Sequence, residues 1–528
     1  MRNKTSLFAK LLVLVMALSM ILTACNSSSQ TSSGSSSDSG SGSESQSGES
    51  SSSEELEPVT LEWYTNVNAV QPDSEMVMAE AQRYIQEKLN ATVNFHLYDW
   101  GDYGQTIPTM LNAGMNLDIV FVGGGVSYTS YAKKNAFLAL DDYIDEYLPQ
   151  TKAAMPDSAW DGVTVNGHIY GIPAEKDFGA RENLEANQTL IDDLGVPFPE
   201  GEWNTAYDLI DWLYDCKEAR DAKYPELANS PIIEQPSFAS FYYVDWLGSV
   251  AVTNIPGVPG IDSIGDTDTV FNLYATDEYR QRMKTIRQLV VDGIAPFEDN
   301  YDPDDVHRQN GELLGWFGSG LLSIDENVND PYYKTALYVS NVITLTTSGY
   351  TVGPQTVSAK CENPERALMV LELVNNDQYL ATTLRFGVEG EHWTDENNDN
   401  IIEDGPRNAD TANRGWWTWY GWQWGGLFVS KVPVGNPSNF SELIVEFNKT
   451  GTPSDNVGFV LDTTNITNEI AACANVISEF DGTLSKGQND NVDELVDEFV
   501  AKLEANGSQK IVDEAQAQLD AWRAENVE

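Results

Sequence analysis

Positive charge is scarce in this sequence, which sets 30 lysine and arginine residues against 81 aspartate and glutamate residues. The formal net charge is −51 over 528 residues. Proteins that bind nucleic acid neutralise phosphates with basic side chains, and proteins that dock on anionic lipid use a polybasic surface. The charge balance excludes both binding modes, and we expect no nucleic-acid partner.

Cysteine and histidine are also scarce, with four residues of each. Apart from Cys25, the cysteines are Cys216, Cys361 and Cys473, which contain no C-x-x-C pair and allow at most one disulfide. The histidines contain no H-E-x-x-H motif, so the sequence predicts no zinc centre.

Motifs of catalysis are missing as well. The chain has no G-x-S-x-G nucleophile elbow and no G-K-[ST] phosphate loop, and no motif singles out a carboxylate pair among the 81 acids. We therefore expect a protein that is not an enzyme and has no cofactor. Hydrophobic residues still make up 41% of the chain, which is enough for a sizeable folded core.

The N-terminal region predicts an export signal followed by a tether. Three basic residues precede an apolar run that is too short for a stable membrane span, which is typical of a signal peptide over residues 1–24. The run ends in LTAC, which resembles a lipobox, so Cys25 is the expected lipidation site, where the thiol takes a diacylglycerol, and palmitate is the expected fatty acid. An ordinary signal peptide with a chance cysteine is the alternative. Residues 25–57 are rich in serine and glycine and predict a flexible tether.

These features predict a location on the outer face of a cell membrane, held by the lipid anchor only. A long tether is useful where a folded module must clear lipid and reach into a cell wall. We therefore expect a Gram-positive bacterium.

From Pro58 onward, short apolar strands alternate with amphipathic helices. Residues 59–63 alternate as a strand, 73–89 have helical periodicity, 93–97 alternate again, and 118–122 (DIVFV) form a continuous apolar strand. Strand–helix–strand order predicts an α/β fold with a parallel sheet covered on both faces.

Several segments carry a family resemblance. They are YIQEKLNATVNFHLYDWGDY, NGHIYGIP, YATDEYRQRMKTIRQLVVDG, RALMVLELVNNDQYLATTLRFGVEGEHW and KLEANGSQKIVDEAQAQLDAW, in this order after the LTAC lipobox. With them the chain resembles the extracellular solute-binding proteins (family 1, large lipoprotein branch) of carbohydrate ABC importers. The resemblance implies a two-lobed type II α/β fold with a multi-strand hinge. It also implies a monomer that closes on a sugar and delivers it to ABC permease subunits.

The resemblance also implies a division of the folded part into lobes. We expect residues 58–174 with about 320–355 in the N-terminal lobe, and residues 175–319 with about 356–490 in the C-terminal lobe. Residues 491–528 are expected to form C-terminal helices.

Candidate ligand-binding residues follow the predicted strands, because open α/β sheets bind ligands at the carboxyl ends of their strands. They are Tyr64 and Asn66 after the first strand, Trp100 and Asp102 after the second, Gly124 after the third, and Glu175 and Asp177 just past the first crossing. Packing of Tyr64 within its strand and a solvated hinge turn at 175–177 are the alternatives.

A tryptophan-rich stretch runs from Arg414 to Gly426 and reads RGWWTWYGWQWGG. Indoles on neighbouring residues do not fit the periodicity of a core, and flat indole faces stack on sugar rings. We expect Trp417, Trp422 and Trp424 to contact the ligand, with the last two on one side of an extended chain. Packing between the lobes is the alternative.

The acidic insert after Trp393 begins like an EF-hand loop, with oxygen-bearing side chains at Asp395, Asn397 and Asp399. It then departs from that pattern, because Asn400 stands where a glycine is usual and Pro406 stands where a bidentate glutamate is usual. A solvated acidic hairpin tip is the favoured interpretation, and a structural calcium ion is the alternative.

The expected function is to capture a carbohydrate by hinge closure and to deliver it to an ABC permease. The expected carbohydrate is an oligosaccharide. Two other classes remain open at this point, a cell-surface glycoside hydrolase and a carbohydrate-adhesion module. Turnover of an oligosaccharide would favour the first, and binding without domain closure would favour the second.

Overall fold

The structure is a computed structural model that describes residues 56–526. It leaves out 68–69, 124, 200–205, 236–242, 256–265, 298–305, 320–331, 334, 339–342, 412, 419–420 and 427. The predicted signal peptide, the acylation site Cys25, almost all of the tether and Gly124 therefore lie outside the described residues.

The strands of the described residues are given in chain order. They are β1 (Val59–Asn66), β2 (Ala91–Tyr98), β3 (Ile119–Phe121), β4 (Thr164–Val165), β5 (His168–Ile169), β6 (Gly179–Ala180), β7 (Glu182–Ala186), β8 (Val244–Trp246), β9 (Ala251–Asn254), β10 (Phe271–Asn272), β11 (Gly315–Ser319), β12 (Thr335–Tyr338), β13 (Thr344–Leu345), β14 (Gln355–Val357), β15 (Trp393–Thr394), β16 (Ile401–Asp404), β17 (Val432–Pro433) and β18 (Thr452–Pro453).

The α-helices follow in the same order. They are α1 (Ser74–Leu89), α2 (Trp100–Asn112), α3 (Tyr128–Lys133), α4 (Ile144–Tyr147), α5 (Pro149–Ala154), α6 (Asp157–Gly162), α7 (Gln188–Leu194), α8 (Ile210–Lys223), α9 (Asp277–Val291), α10 (Val306–Gln309), α11 (Thr347–Thr351), α12 (Pro364–Asn376), α13 (Gln378–Phe386), α14 (Phe440–Thr450), α15 (Thr467–Ser485), α16 (Val492–Ala505) and α17 (Ser508–Asn526).

The first sheet has the strand order β14-β3-β1-β2. Strand β1 pairs in parallel with β2 and with β3, and β14 joins β3 in the antiparallel sense. Leu61 and Trp63 are fully buried, as their alternation predicts, and the predicted strands and the parallel pairing are confirmed. The carboxyl ends of β1, β2 and β3 therefore meet at one edge.

Helix α1 covers this sheet with a buried stripe of Val77, Ala81 and Ile85. It ends at Asn90, whose φ of 46° is left-handed and whose N–H bonds the carbonyl of Gln86, as in an αL cap. The predicted helix 73–89 is thus confirmed to within one residue at its start.

A second core lies around the sheets β11-β7-β12 and β10-β9-β8. Helices α9, α15, α16 and α17 contribute its helical layer, for example through Ile286, Cys473, Phe499 and Leu519. The C-terminal helices predicted at 491–528 are present and pack into this core.

Three short strands, β6, β13 and β18, form a small sheet that we call the linking sheet. Phe178 belongs to the first core and Leu184 to the second, so the chain passes between the cores at β6. The segments at β13 and β18 do the same, because Ile343 and Phe447 pack in the first core and Leu337 and Phe459 pack with the second. The expected multi-strand connection is present.

The lobe boundaries differ from the expected ones. Residues 356–490 were expected in the C-terminal lobe, but helix α12 buries Leu368 and Leu371 in the first core, where Trp416 and Trp424 also lie. The physical reason is that the apolar face of α12 packs against α1 and β14 of the first sheet. The chain returns to the second core only after α14.

No helix among the described residues is both long enough and apolar enough to cross a membrane. The described residues also hold no group of three or more histidine, cysteine, aspartate or glutamate side chains with the geometry of a metal site.

Candidate ligand site at the carboxyl edge of the first sheet

A tight turn closes the carboxyl edge of the first sheet. It comprises residues 421–426, begins with the 3₁₀ turn Gly421–Gln423, and is called the capping turn below. The Thr65 hydroxyl donates a hydrogen bond to the Gln423 carbonyl at 3.2 Å, and the Gln355 Nε2 donates to the same oxygen at 2.7 Å. The capping turn is therefore fixed to β1 and to β14.

Trp422 is the aromatic side chain that this turn holds over the strand ends. Its ring centroid lies 5.6 Å from that of Phe121 and 6.4 Å from that of Trp100. Its ring also lies against Gly353, where an added Cβ would come within 2.6 Å of it and where φ is +99°. Trp422 is half-buried, so its position is fixed while part of the indole remains accessible.

Trp424 points the other way, into the first core, and is 2% exposed. Its ring centroid lies 5.9 Å from that of Trp63 and 6.0 Å from that of Phe95. The expectation that Trp422 and Trp424 share one accessible side is wrong in this structure. The reason is that the segment is a 3₁₀ turn, in which side chains two residues apart diverge, and not an extended strand.

Glu175 lies beside the capping turn, because a Cβ on Gly426 would be 3.3 Å from its Oε2 atom. Among the described residues no donor bonds this carboxyl group. Burial raises the pKa of Glu175 to about 7. A half-buried carboxyl group of this kind is equipped to exchange hydrogen bonds with a hydroxyl-bearing ligand.

Lys176 adds a cation to the same region. Its Nζ donates to the carbonyl of Asp177 at 2.7 Å and lies 6.0 Å from the Trp422 ring centroid. Burial lowers the pKa of Lys176, with a smaller opposing effect of Asp177. The ammonium group therefore stands over the indole without an ion pair in the described part of the chain.

Two buried amides lie at the same edge. Asn66 ends β1 with 0% exposure, and Gln423 is 1% exposed. Neither side-chain amide has a hydrogen-bond partner among the described residues. Buried polar groups are normally paired with protein, water or ligand, so these two amides are candidate partners for a water molecule or a ligand at this edge.

The other predicted site residues are placed less centrally. Tyr64 is 8% exposed and stacks on His96 with ring centroids 4.3 Å apart. Asp102 is exposed in the first turn of α2, where its N–H donates to Asp99. Trp417 belongs to a separate cluster with Phe386, and the guanidinium of Arg414 lies 3.8 Å from its ring centroid.

The structure therefore brings Asn66, Trp100, Glu175 and Trp422 to one edge. Sequence reasoning expected Lys176 near the site together with Glu175 and Asp177, but it missed Gln355 and Gln423 at this edge. The polar residue between two tryptophans in WQW was the available signal for Gln423.

The acidic insert forms a β15–β16 turn held by its own groups. The Asp395 carboxylate accepts hydrogen bonds from the N–H groups of Asp399 at 3.1 Å and Asn400 at 3.3 Å. It also accepts one from Lys431 Nζ at 2.6 Å, and this bond holds the pKa of Asp395 below its usual value. Asn400 adopts a φ of 73°. Lys431 thus supplies a counter-charge for Asp395, while Asn397 and Asp399 are exposed.

The chain has two cores joined by three passes, with an aromatic and polar site at the strand ends, and its structural neighbours are two-domain solute-binding proteins. The sequence comparison agrees with this. The chain is 26% identical over 467 residues to a carbohydrate ABC transporter substrate-binding protein of Streptococcus pneumoniae serotype 4, which covers 85% of this chain and 89% of that protein. Because this relative is a carbohydrate ABC transporter substrate-binding protein, the resemblance predicted from the sequence is confirmed.

Solved structures agree on the fold. The chain matches the crystal structure of the N-glycan transport solute-binding protein NgtS of S. pneumoniae with a TM-score of 0.73 and 22% identity, covering 89% of this chain and all of that one. It matches a human-milk-oligosaccharide-binding protein of Bifidobacterium longum infantis with a TM-score of 0.54 and 16% identity, covering 88% and 99%. Residues 456–524 match DUF3502, a domain of unknown function. The predicted two-lobed α/β fold is confirmed.

Proposed function

We propose that this protein captures an oligosaccharide outside the cell and delivers it to the permease subunits of an ABC importer. It acts as a monomer without enzymatic activity, and the lipid on Cys25 holds it at the outer face of the cell membrane. The observation that carries the proposal is the half-buried Trp422 over the strand ends, with Glu175 and the Asn66 amide beside it.

The chemistry of that edge supports a sugar. The apolar C–H face of a pyranose stacks on an indole, while its hydroxyls exchange hydrogen bonds with amides and carboxyl groups. Trp422 provides the flat face, and Asn66, Gln423 and Glu175 provide the polar groups. NgtS has been crystallised with Man1GlcNAc and with Man5GlcNAc, which makes mannose–N-acetylglucosamine oligosaccharides the first ligands to test.

The linking sheet supports a mechanism of domain closure. Because all three of its strands connect the two cores, a change at β6, β13 and β18 alters the angle between the cores and leaves each core intact. A ligand that contacts both cores in the closed form shifts the equilibrium by its extra affinity for that form. The closed form is the one that would dock on the permease.

The test is isothermal titration calorimetry of the parent protein, Trp422→Ala and Trp246→Ala against Man1GlcNAc, Man5GlcNAc and kestose. Loss of one stacked indole should weaken binding by about 1–2 kcal/mol, or about 5- to 30-fold. Trp246 is the matched control, because it is 45% exposed on β8 of the second core. Its replacement should leave the affinity unchanged.

Three results would contradict the proposal. Binding of no oligosaccharide by the parent would remove the ligand class. Turnover of the ligand by pure protein would indicate a hydrolase. Small-angle scattering that does not change on saturation would indicate binding without closure.

A further inference from the structure

The sheet β11-β7-β12 of the second core has two chemically different faces. Side chains alternate along a strand, so Leu184 and Ala186 of β7 point to one face, and both are fully buried in the second core. Asn183 and Glu185 point to the other face, which we call the polar face.

Pairing adds two residues to the polar face. In the β7–β11 register Trp316 pairs with Glu185 and Gly318 pairs with Asn183. A Cβ on Gly318 would lie 3.4 Å from the Asn183 Oδ1 and 3.5 Å from the Glu185 Oε1. The amide and the carboxyl group therefore flank a strand position that carries no side chain.

Arg308 is fixed over this face by two kinds of contact. Its Nη1 forms an ion pair of 2.7 Å with Oε2 of Glu234, whose side chain is 1% exposed. Its guanidinium lies 4.3 Å from the Trp316 ring centroid and 5.4 Å from that of Tyr333. The stacking and the ion pair together fix the orientation of Trp316.

Burying charged and polar side chains on this face costs free energy that a sheet with only a packing role would not need to spend. A buried ion pair rarely stabilises a fold more than apolar side chains of the same size would, and the half-buried carboxyl group of Glu185 adds a further desolvation cost. Burial raises the pKa of Glu185 to about 7, with Arg308 lowering it and Glu234 raising it by smaller amounts. An aromatic ring, an amide and a carboxyl group around an open strand position are typical of a ligand-binding surface.

We propose that the polar face is the second core's half of the carbohydrate site. There Glu185 and Asn183 bind the hydroxyls of one uncharged sugar unit beside Trp316, and Arg308 and Glu234 are positioning residues. The inference rests on the proposed function and narrows its substrate class to neutral oligosaccharides.

The charges explain the selectivity. The Arg308 guanidinium is already paired with Glu234, so this cation is not available to bind the carboxylate of an acidic sugar. An acidic sugar would instead meet Glu185, which becomes negatively charged as the pH rises through about 7. A sugar hydroxyl is uncharged and is not repelled by a carboxylate. A neutral Glu185 can both donate a hydrogen bond to it and accept one from it.

The experiment measures affinity between pH 6 and pH 8 by calorimetry for the parent, Glu185→Gln, Glu185→Leu and Glu182→Gln. The probes are Man5GlcNAc and a sialylated oligosaccharide. Parent affinity for the neutral probe should fall as the pH rises through about 7, and the sialylated probe should bind at least about 10-fold more weakly. Glu185→Gln, which resembles the neutral acid, should keep the affinity within a few-fold and lose the pH dependence.

Glu185→Leu should bind the neutral probe about 10-fold more weakly at pH 6, because it lacks the carboxyl group that bonds the sugar hydroxyls. Glu182→Gln is the matched control. Glu182 lies on the same strand with a pKa likewise raised to about 7, but it faces the opposite side and accepts a hydrogen bond from the Ala206 N–H. It should keep the parental pH profile. The nearby ring of His307 is engaged 2.6 Å from Glu312 and is retained in every variant.

The outcomes separate the two proposals. A parent that binds no oligosaccharide would overturn the proposed function. A parent that binds, with Glu185→Leu and Glu185→Gln both indistinguishable from it at every pH, would overturn this inference alone. Equal or tighter binding of the sialylated probe would do the same. Circular dichroism of each variant establishes that it is folded.

Discussion

Replacing Trp424 by alanine tests whether the two neighbouring indoles of the capping turn have the different roles that their positions imply. Trp424 is 2% exposed among Trp63, Phe95 and Trp416. Truncating a buried tryptophan costs about 3–5 kcal/mol of the free energy of unfolding. The indole N–H of Trp424 has no acceptor among the described residues. Removing this unpaired group offsets about 1 kcal/mol of the cost, so the free energy of unfolding should fall by about 2–4 kcal/mol.

The assay is urea unfolding followed by far-ultraviolet circular dichroism, with Trp422→Ala as the paired variant. The midpoint should fall clearly for Trp424→Ala at unchanged slope, and it should fall much less for Trp422→Ala. Ligand affinity should show the reverse order. A Trp424→Ala protein with parental stability and weakened sugar binding would refute the assignment of this indole to the core.

Two further predictions concern buried charge. Lys431→Met should lower the melting temperature, because the Asp395 carboxylate loses its 2.6 Å partner. Millimolar Ca²⁺ should restore the melting temperature of the variant and leave that of the parent unchanged. Stabilisation of the parent by Ca²⁺ would contradict the role of the lysine. Burial raises the folded-state pKa of Glu182 to about 7 and of Asp245 to about 6, so the stability that they contribute is full below their unfolded pKa values near 4 and is lost as the pH rises to about 7. The free energy of unfolding, measured by urea titration at several pH values, should fall over that range, and it should fall less in Glu182→Gln; an identical slope in the variant would count against the assignment.

The local sequence pattern was sufficient to predict the strands and the covering helix of the first sheet. The alternation at β1 and β2, the apolar run at β3 and the stripe of α1 are short-range signals, and they placed Asn66 and Trp100 at a shared edge. They could not place the capping turn, because its contact between Thr65 and Gln423 joins residues 358 positions apart. No pattern within the tryptophan-rich stretch specifies which sheet it will cover.

The orientation of Trp424 and the polar face show a second limit. Whether two indoles share a side depends on whether the backbone is extended or a 3₁₀ turn, and the glycines around Trp422 fit both. Glu185 and Trp316 stand on strands that are distant in the chain, and each is unremarkable alone among many acids and aromatic residues. Their meaning comes from the β7–β11 register, which a single sequence does not reveal.

The composition of the first core has a consequence for how the protein reaches its native state. Strand β1 begins at Val59, yet the same core needs Leu368, Trp424 and Phe447. Because contacts of such long sequence separation form slowly, the first core cannot be completed while the chain is emerging N-terminus first. Most of the polypeptide must be present before either core closes, and a fragment ending near residue 360 should expose apolar surface and aggregate. Such late closure would keep the chain unfolded during the export that the predicted signal peptide implies.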